Sequence, residues 1–470
     1  MKTDLRGRIE TGDLRFLDGL VLLGTIASQR WFGGKSRDVL DARVLDAGVV
    51  PGGPPILAFA IVEVRYGLQT HDLYHLPLGF RPSGDGWEPK SVVAETEGWV
   101  VYDAVADPEL VCRIVDLVRA GAPLDLGEAT IVFQGSDELP DEFETVRPMG
   151  AEQSNSSLVL DERLALKLYR RIEPGMNPEL ELLRFLTYRD FPHIAALEGF
   201  VSYEGRPLEA TLAILQRFVP SRGDAWEIAL ETLGTDPGWL PGHARRLGEV
   251  TAAMHNALGS DPTDPHFAPE EPSTEAIALL SASIDEEIEQ VFAALPHTEA
   301  LAPVAGRGEE VRDRLRNLAH IGQVGRVIRH HGDYHLGQAL WTAEEDWLIL
   351  DFEGEPARTL SERRRKRSAL RDVAGMLRSF AYAASASVIQ RGVPPPDGWE
   401  ENCRTEFLGG YLGEIEPALL PPGEQSIARL LTIFELEKAV YELRYEINNR
   451  PDWVAIPAAG IARLLEEAWS

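Results

Sequence analysis

The sequence predicts an α+β protein with a strand-containing N-terminal part and a mostly helical C-terminal part. Apolar runs typical of strands lie at Ile56–Tyr66 and at 73–78, and each is bounded by Pro- and Gly-rich residues. From residue 217 onward, apolar residues recur with the helical period, for example between Leu247 and Leu258. A chain of 470 residues is long enough for two or three packed units.

We expect three domains along this chain. The first covers residues 1–97 and contains the two strands above. The second covers 98–216 and contains a strand pair that ends with Leu164–Tyr169, followed by a helix that begins at Pro178. The third covers 217–470 and is mostly helical.

Composition and charge limit the functions that this chain can have. A formal net charge of −29 argues against nucleic acid and against an anionic membrane surface as partners. No apolar stretch of about 18 residues is present, so a transmembrane helix is not expected. The N-terminus is charged rather than apolar, and the two cysteines, Cys112 and Cys403, imply no disulfide framework. We therefore expect a cytoplasmic protein.

Two carboxylates and an amide in residues 326–355 carry the strongest functional pattern. Asp333 is followed five residues later by Gln338, and Asp351 stands at the end of the apolar run 347–350. Protein kinases use an Asp as the catalytic base, an Asn five residues later as a metal ligand, and an Asp-Phe-Gly aspartate as a second ligand. The spacing here predicts ATP- and Mg²⁺-dependent phosphoryl transfer, with Gln338 and Asp351 as metal ligands.

Other interpretations of these residues stay open at this point. Either aspartate could cap a turn or close a strand. Three histidines, His330, His331 and His335, could form a transition-metal site with Asp333. Under the kinase interpretation, His331 is a catalytic-loop residue that braces the loop beside the base. His335 is either structural or lies near the phosphates or the substrate.

Lys167 is the predicted phosphate-binding cation. It lies in a strand, as does the phosphate-binding Lys of protein kinases, and a Glu on the next helix should hold it. Glu181 is the first choice and Glu179 the reserve. A solvated Lys at a strand end is the alternative. The preceding turn, residues 152–157, has no Gly-x-Gly pattern, although small polar residues can bring backbone N–H groups to phosphates. Its candidate nucleotide-binding residues are Ser154, Asn155 and Ser156.

Two further segments are candidates for ligand binding. The run 216–220 follows a strand and is a candidate hinge that reads adenine through Gln216, Phe218 and Val219, with an ordinary linker as the alternative. In the C-terminal segment 434–446, four residues share one helix flank and combine charged with aromatic groups, which suits a carbohydrate. These four are Glu437, Lys438, Tyr441 and Tyr445. A solvated charged face with two half-buried tyrosines is the alternative.

Taken together, these motifs resemble the bacterial maltokinase family over nearly the whole chain. The resemblance is carried by QRWFGGKSR, EQSNSSLVL, LKLYRR, NPELEL, HGDYHLGQ, DFEGEP, Arg358 with Glu362 and Arg363, LRDVAGMLRSFAYAA and FELEKAVYELRYEINNRPDW, which occur in the family's order. The resemblance implies a bilobal, protein-kinase-like fold similar to that of aminoglycoside phosphotransferases. It also implies an N-terminal α+β cap domain before the kinase N-lobe, and a mostly helical C-lobe.

The resemblance also implies an activity. Maltokinases transfer the γ-phosphate of ATP to the anomeric hydroxyl of maltose, giving maltose 1-phosphate for α-glucan (glycogen) synthesis. Asp333 would be the base and Glu353 would assist the two metal ligands, while the helix with Lys438 would line the maltose pocket. In some relatives the kinase is fused to, or assembles with, trehalose synthase, and we expect any such complex here to form between separate chains.

Two other functions remain open on the sequence alone. Glucosamine kinases have similar catalytic motifs, and a kinase for glucosamine, an aminoglycoside or a choline-like amine would place Glu437 and Glu446 around a cationic acceptor. A non-catalytic relative that binds a nucleotide or a partner enzyme is the third hypothesis, against which the presence of all four motif residues argues. The basic segment 361–367 has no assigned role.

Overall fold

The chain divides into two compact units, and each is described by itself. The computed structural model describes residues 5–67, 70–88, 90–150, 154–206, 208–316 and 324–466. The first unit consists of the chain up to Arg184 together with Ala195–Val219, and the second of Phe185–Ile194 and the chain from Pro220 onward. Both units contain helices and strands, so the predicted α+β class is confirmed.

The first unit is built on two antiparallel sheets. Its elements in chain order are α1 (Leu5–Glu10), α2 (Leu20–Ser28), β1 (Val39–Val49), β2 (Ile56–Tyr66), β3 (His71–Pro82), β4 (Val92–Thr96), β5 (Trp99–Asp103), α3 (Pro108–Ala120), β6 (Leu124–Asp125), β7 (Thr130–Gly135), β8 (Val146–Pro148), β9 (Asn155–Leu160), β10 (Leu164–Tyr169), β11 (Arg171–Ile172), α4 (Pro178–Tyr188), β12 (Leu197–Glu204) and β13 (Glu209–Arg217). One sheet has the order β1-β2-β3-β5-β4, with β11 paired to β3, and the other has the order β6-β7-β12-β13-β10-β9-β8. Helix α4 begins in this unit and ends in the second.

Strand β2 shows why the predicted cap and the domain after it share one unit. Its side chains alternate between two cores, with Leu57, Phe59 and Ile61 in one and neighbouring residues such as Ala58 in the other. The first of these cores also contains α3 and the seven-stranded sheet. The boundary predicted at residue 97 therefore falls in the turn of the β4–β5 hairpin, because a Gly-containing hairpin turn and a Gly-containing linker look alike in sequence.

A fully buried histidine makes the first unit sensitive to acid. His75 lies in β3, and burial, reinforced by the charge of Arg170, lowers its pKa from 6.5 to about 3. The folded state holds this side chain neutral, whereas the unfolded state can protonate it below pH 6.5. The free energy of unfolding is therefore unaffected by His75 above pH 6.5 and falls as the pH drops towards 3. The loss is about 1.4 kcal/mol per pH unit, or about 2 kcal/mol at pH 5.

Replacing His75 with Leu is expected to remove this part of the acid sensitivity. The measurement is the free energy of unfolding of the wild type and of His75→Leu between pH 7.5 and 5. As the pH falls from 7.5 to 5, the free energy of unfolding of the wild type should drop by about 2 kcal/mol more than that of the variant. Parallel pH dependences of the two proteins would contradict the prediction.

The second unit is mostly helical around one small sheet. Its elements are β14 (Ser221–Asp224), α5 (Ala225–Thr232), α6 (Trp239–Leu258), α7 (Thr274–Ala293), α8 (Gly308–Arg316), β15 (Ala339–Thr342), β16 (Trp347–Ile349), α9 (Leu360–Arg363), α10 (Leu370–Arg391), α11 (Trp399–Glu414), α12 (Glu424–Asn449) and α13 (Ala455–Glu466). The antiparallel sheet has the order β14-β15-β16. Among the residues described, no helix is both long and apolar enough to cross a membrane.

Helix α10 forms the centre of the second unit. It is apolar around most of its circumference and contacts both α11 and α12. At Gly375 it approaches the loop before β15 so closely that a Cβ would lie 2.6 Å from the carbonyl oxygen of Tyr334. Glycine is therefore required at this position for the helix to pack against the loop.

Candidate active site

The loop that carries Asp333 is anchored by a buried aspartate of α10. The carboxylate of Asp372 accepts hydrogen bonds from the backbone N–H groups of His331 (2.7 Å) and Gly332 (2.9 Å), and from Nε2 of His255 (3.1 Å). Burial alone would raise the pKa of Asp372. The charge of His330 and the hydrogen bond from His255 lower the pKa by more than burial raises it, so it lies far below its usual value. Asp372 is thus a fixed anion that orders the loop. Sequence analysis did not identify it.

His331 braces the loop from inside. Its ring is buried, and Nε2 donates a hydrogen bond to the carbonyl oxygen of Leu350 at 2.8 Å. The backbone N–H of Asp333 lies 3.4 Å from Nδ1 of the same ring. The ring also packs between Tyr334 and Phe352. These contacts support the bracing role predicted for His331, because they tie the loop of Asp333 to the end of the strand before Asp351.

His335 supports the residue that follows the loop. Its Nδ1 accepts a hydrogen bond from the backbone N–H of Gly337 at 3.1 Å and caps the 3₁₀ turn Leu336–Gln338. Burial lowers the pKa of His335. The cap orients Gln338, and this structural contact favours the structural interpretation over the substrate contact assigned to His335.

Asp333 faces a cation from the C-terminal helix. The ammonium group of Lys438, on α12, donates to Oδ1 of Asp333 at 3.1 Å and to Oε1 of Glu355 at 2.8 Å. Burial would lower the pKa of Lys438, but Glu355 and Asp333 raise it well above its ordinary value, so the side chain is a permanent cation. The spacing on α12 identified Lys438, whereas Glu355 was missed because its contacts depend on the fold.

Gln338 and Asp351, the two predicted metal ligands, lie side by side. The amide nitrogen of Gln338 is 3.1 Å from Oδ2 of Asp351, and the backbone N–H of Leu350 donates to the carbonyl oxygen of Gln338 at 2.9 Å. Asp351 adopts a left-handed backbone conformation (φ 61°), which turns the chain directly after the strand end.

The donor set suits Mg²⁺. Two carboxylates, Asp351 and Glu353, and one amide offer hard oxygen ligands, and an amide can be turned by 180° to present oxygen instead of nitrogen. The same set is a poor match for a soft transition metal. His331 and His335 contact backbone groups in this loop, so the transition-metal interpretation gains no support from these two side chains.

In the first unit, Lys167 is held by a carboxylate of α4. Its ammonium group lies 2.7 Å from Oε2 of Glu179, which also accepts a hydrogen bond from the hydroxyl of Tyr169 at 2.7 Å. This ion pair favours Glu179, the reserve choice, as the partner of Lys167, and the assignment of Glu181 stays a prediction. Residues two positions apart point to different flanks of a helix, and the sequence did not reveal which flank faces the strand.

The structure describes only part of the turn 152–157, which was predicted to bind the phosphates. Glu152 and Gln153 lie outside the described residues, whereas Ser154 is exposed and Asn155 is buried at the start of β9. The hydroxyl of Ser156 accepts a hydrogen bond from Nε of Arg170 at 2.8 Å. The hydroxyl keeps its own hydrogen as a donor, so the assignment of Ser156 to the nucleotide stays a prediction.

The candidate hinge lies where the first unit ends and the second begins, after Val219. The side-chain amide of Gln216 donates to the carbonyl oxygen of Ala195 at 3.3 Å, and the backbone N–H of Phe218 donates to the carbonyl oxygen of Arg163 at 2.8 Å. The Phe218 N–H is therefore occupied, and the assignment of Gln216 and Phe218 to the adenine stays a prediction. The contribution of Val219 stays a prediction.

The four residues assigned to the acceptor on α12 separate into different environments. Glu437 is buried and forms a two-fold ion pair with Arg371, so its carboxylate is occupied. Tyr441 packs its ring against the ammonium group of Lys438, 4.8 Å from the ring centroid. Tyr445 is 44% exposed and lies further along the helix. Lys438 and Tyr441 are thus the two that lie together beside Asp333.

Two family models match this chain. Residues 26–107 match the maltokinase N-terminal cap domain, and residues 145–354 match the phosphotransferase enzyme family. The chain is a phosphotransferase related to the maltokinases. These matches confirm the relationship that the motifs indicated. The matched segments end before α10 and α12, which supply Asp372 and Lys438.

Glucosamine kinases are among the relatives of this phosphotransferase. The protein from Streptacidiphilus jiangxiensis is 26% identical over 371 residues, covering 75% of this chain and 80% of the relative. The protein from Mycolicibacterium smegmatis is 26% identical over 341 residues, covering 69% and 80%.

Solved structures of glucosamine kinase establish the fold. One crystal form gives a TM-score of 0.69 at 18% identity and covers 94% of this chain and 99% of that one. A complex with glucosamine, ADP and inorganic phosphate gives a TM-score of 0.66 at 19% identity, covering 94% and 98%. The predicted aminoglycoside-phosphotransferase-like kinase fold with an N-terminal cap is thereby confirmed.

Proposed function

We propose that this phosphotransferase is an ATP- and Mg²⁺-dependent sugar kinase that phosphorylates maltose at its anomeric hydroxyl. The product, maltose 1-phosphate, would serve α-glucan synthesis. The observation that carries the proposal is the position of Asp333, held on an ordered loop and contacted by the cation of Lys438 on α12. The match to the maltokinase cap domain supports the choice of sugar.

The residues of the chain have distinct roles in this proposal. Asp333 orients the anomeric hydroxyl and accepts its proton as the oxygen attacks the γ-phosphorus of ATP, and the bond from that phosphorus to the bridging oxygen breaks to release ADP. Lys438 and Tyr441 bind the sugar, one through its charge and the other through its ring face. Lys167, fixed by Glu179, binds phosphate oxygens. Transfer is direct, without a phosphoenzyme, so positioning and charge neutralisation supply most of the rate.

The metal site follows from the donor set already described. Gln338, Asp351 and Glu353 would hold Mg²⁺, which supplies positive charge against the phosphate oxygens. Asp333 stays outside this ligand set, because its carboxylate must remain available to the hydroxyl.

The charges near Asp333 favour a neutral sugar over an amino sugar. A permanent cation, Lys438, stands 3.1 Å from the base and would repel the ammonium group of a bound glucosamine. The glutamates along the middle of α12 that could attract such a group are already ion-paired. These pairs are Glu435 with Arg404, Glu437 with Arg371, Glu442 with Arg378, and Glu446 with Arg450.

Glucosamine kinase activity is the second candidate. It is favoured by the relatives at 26% identity, which carry that name. Glucosamine and maltose differ in charge and in the hydroxyl that would react. The identity of the phosphorylated product therefore separates the two candidates.

A substrate panel tests the proposal. The purified chain is incubated with ATP, Mg²⁺ and, separately, maltose, glucose, glucosamine and an aminoglycoside, and the products are identified by phosphorus and proton NMR. We expect maltose 1-phosphate, with kcat/KM for maltose at least about tenfold above that for glucosamine. Formation of glucosamine 6-phosphate without turnover of maltose would refute the maltose assignment. The complex with trehalose synthase and the cytoplasmic location stay predictions.

A further inference from the structure

A line of alternating charges runs from the catalytic base to helix α7. Lys438 bridges Asp333 and Glu355, and Nε of Arg358 lies 3.1 Å from Oε2 of the same glutamate. The other end of Arg358 lies 3.5 Å from Oε2 of Glu287, on α7. We call Lys438, Glu355, Arg358 and Glu287 the relay.

The relay also returns to the helix that supplies Lys438. Nη1 of Arg444, two turns further along α12, lies 3.0 Å from Oε1 of Glu287. The side chains of Glu355 and Glu287 are each only 12% exposed, so water screens these pairs weakly.

Stability alone is a weak reason for this arrangement. Burying charged groups costs desolvation energy, and well-packed apolar residues often stabilise a fold as well as a buried ion pair does. A lysine side chain is also long and flexible, so a single carboxylate does not fix the position of its ammonium group. Two carboxylates restrict it more, and Asp333 and Glu355 supply them.

The position of Lys438 matters because it contacts the base. Each carboxylate oxygen that Lys438 occupies is less available to the acceptor hydroxyl. Without Glu355, the ammonium group would pair with Asp333 alone. Glu355 thus holds the ammonium group of Lys438 partly away from the carboxylate of Asp333. Arg358, which also contacts Glu287, fixes the position of Glu355 in turn.

We propose that Glu355 and Glu287 are positioning residues that set the placement of Lys438 against Asp333 and so couple helix α7 to acceptor phosphorylation. The proposal rests on the proposed function, in which Asp333 is the base and Lys438 contacts the sugar. Neither glutamate was assigned to the site by the sequence motifs. The relay acts on the acceptor side and leaves nucleotide binding unchanged.

The test compares three isosteric variants, Glu355→Gln, Glu287→Gln and Glu286→Gln. Glu286 is the neighbouring, exposed residue of α7 and is the matched control. We expect kcat/KM for the acceptor to fall about 10–100-fold in Glu355→Gln and about 3–10-fold in Glu287→Gln, because small misplacements of groups near the reacting atoms slow the reaction. KM for ATP should stay within about twofold of the wild type in all three variants.

A double variant shows whether the two glutamates act in series. Because Glu287 acts through Arg358 and Glu355, adding Glu287→Gln to Glu355→Gln should cause little further loss. Multiplicative losses would contradict the relay. Equal kinetics of Glu287→Gln and Glu286→Gln would overturn the role of Glu287, and a parallel rise of both KM values with a lower Tm would show a merely structural role.

Failure of the proposed function gives a different result. If the wild type phosphorylates no sugar in the panel, the function is wrong, and the relay is judged on crystal structures of Glu287→Gln and Glu286→Gln, which need no acceptor. Displacement of Arg358 and Lys438 only in Glu287→Gln would support the relay. Unchanged positions of both side chains would overturn it.

Discussion

Replacing Asp333 with Asn is expected to lower kcat for sugar phosphorylation by about 10²–10⁴-fold, the loss typical of removing a general base. The amide has the size and shape of the carboxylate, so the loop should keep its hydrogen bonds to Asp372. It cannot accept the proton of the acceptor hydroxyl, and it carries no charge to pair with Lys438. The loss should therefore fall on the chemical step.

Steady-state kinetics with both substrates checks this expectation. KM for ATP should change by less than about threefold, because Asp333 is outside the proposed metal and phosphate ligands. Asp397→Asn is the matched control, since Asp397 is an exposed aspartate in the loop before α11. An Asp333→Asn variant with wild-type turnover would show that another group accepts the proton.

Replacing Asp372 with Ala is expected to destabilise the second unit by about 3–5 kcal/mol, as removing one partner of a buried charged network does. The change leaves two loop N–H groups and a ring nitrogen of His255 without their acceptor inside the protein. It also opens a cavity next to the loop that holds Asp333. Stability and activity should therefore fall together, unlike in Asp333→Asn.

Urea unfolding and kinetics on the same samples test the role of Asp372. Asp372→Asn keeps the volume but places an N–H group against donors, so we expect it to be destabilised as well, by more than the control Asp397→Asn. A folded Asp372→Ala protein with wild-type kcat would contradict the anchoring role.

The pH dependence separates Asp372 from the buried histidines. Its pKa is lowered in the folded state, so its contribution is complete above the ordinary value of 3.8 and is lost only below it. Between pH 7 and 5, any loss of stability must come from other groups. Those groups include His75 and, in the second unit, His330, whose pKa burial lowers to about 4.

Sequence reasoning brought together those candidate catalytic groups whose relation is local. Asp333, Gln338 and Asp351 lie within 18 positions of one another, so the pattern of loop and strand sufficed to place the last two at one edge. Lys438 was found because its helix flank combines charge with aromatic rings. Spacing on one element, or on adjacent elements, is what a single sequence records well.

The residues that support the site were missed for the converse reason. Asp372 and Glu355 make their contacts across 41 and 83 positions, and nothing in their local sequence marks these partners. The choice between Glu179 and Glu181 needed the orientation of α4 against β10. Helical period predicts which residues share a face, and packing decides which face is turned to the partner.

The contact between Gly375 and the carbonyl oxygen of Tyr334 has a consequence for redesign of this enzyme. Since no side chain fits between α10 and the loop, a substitution at position 375 would push the helix and the loop apart. Attempts to change acceptor preference should therefore leave α10 intact and vary α12, where Tyr441 and Tyr445 border solvent. Libraries that include position 375 would yield mostly misfolded clones, whatever acceptor they were designed to take.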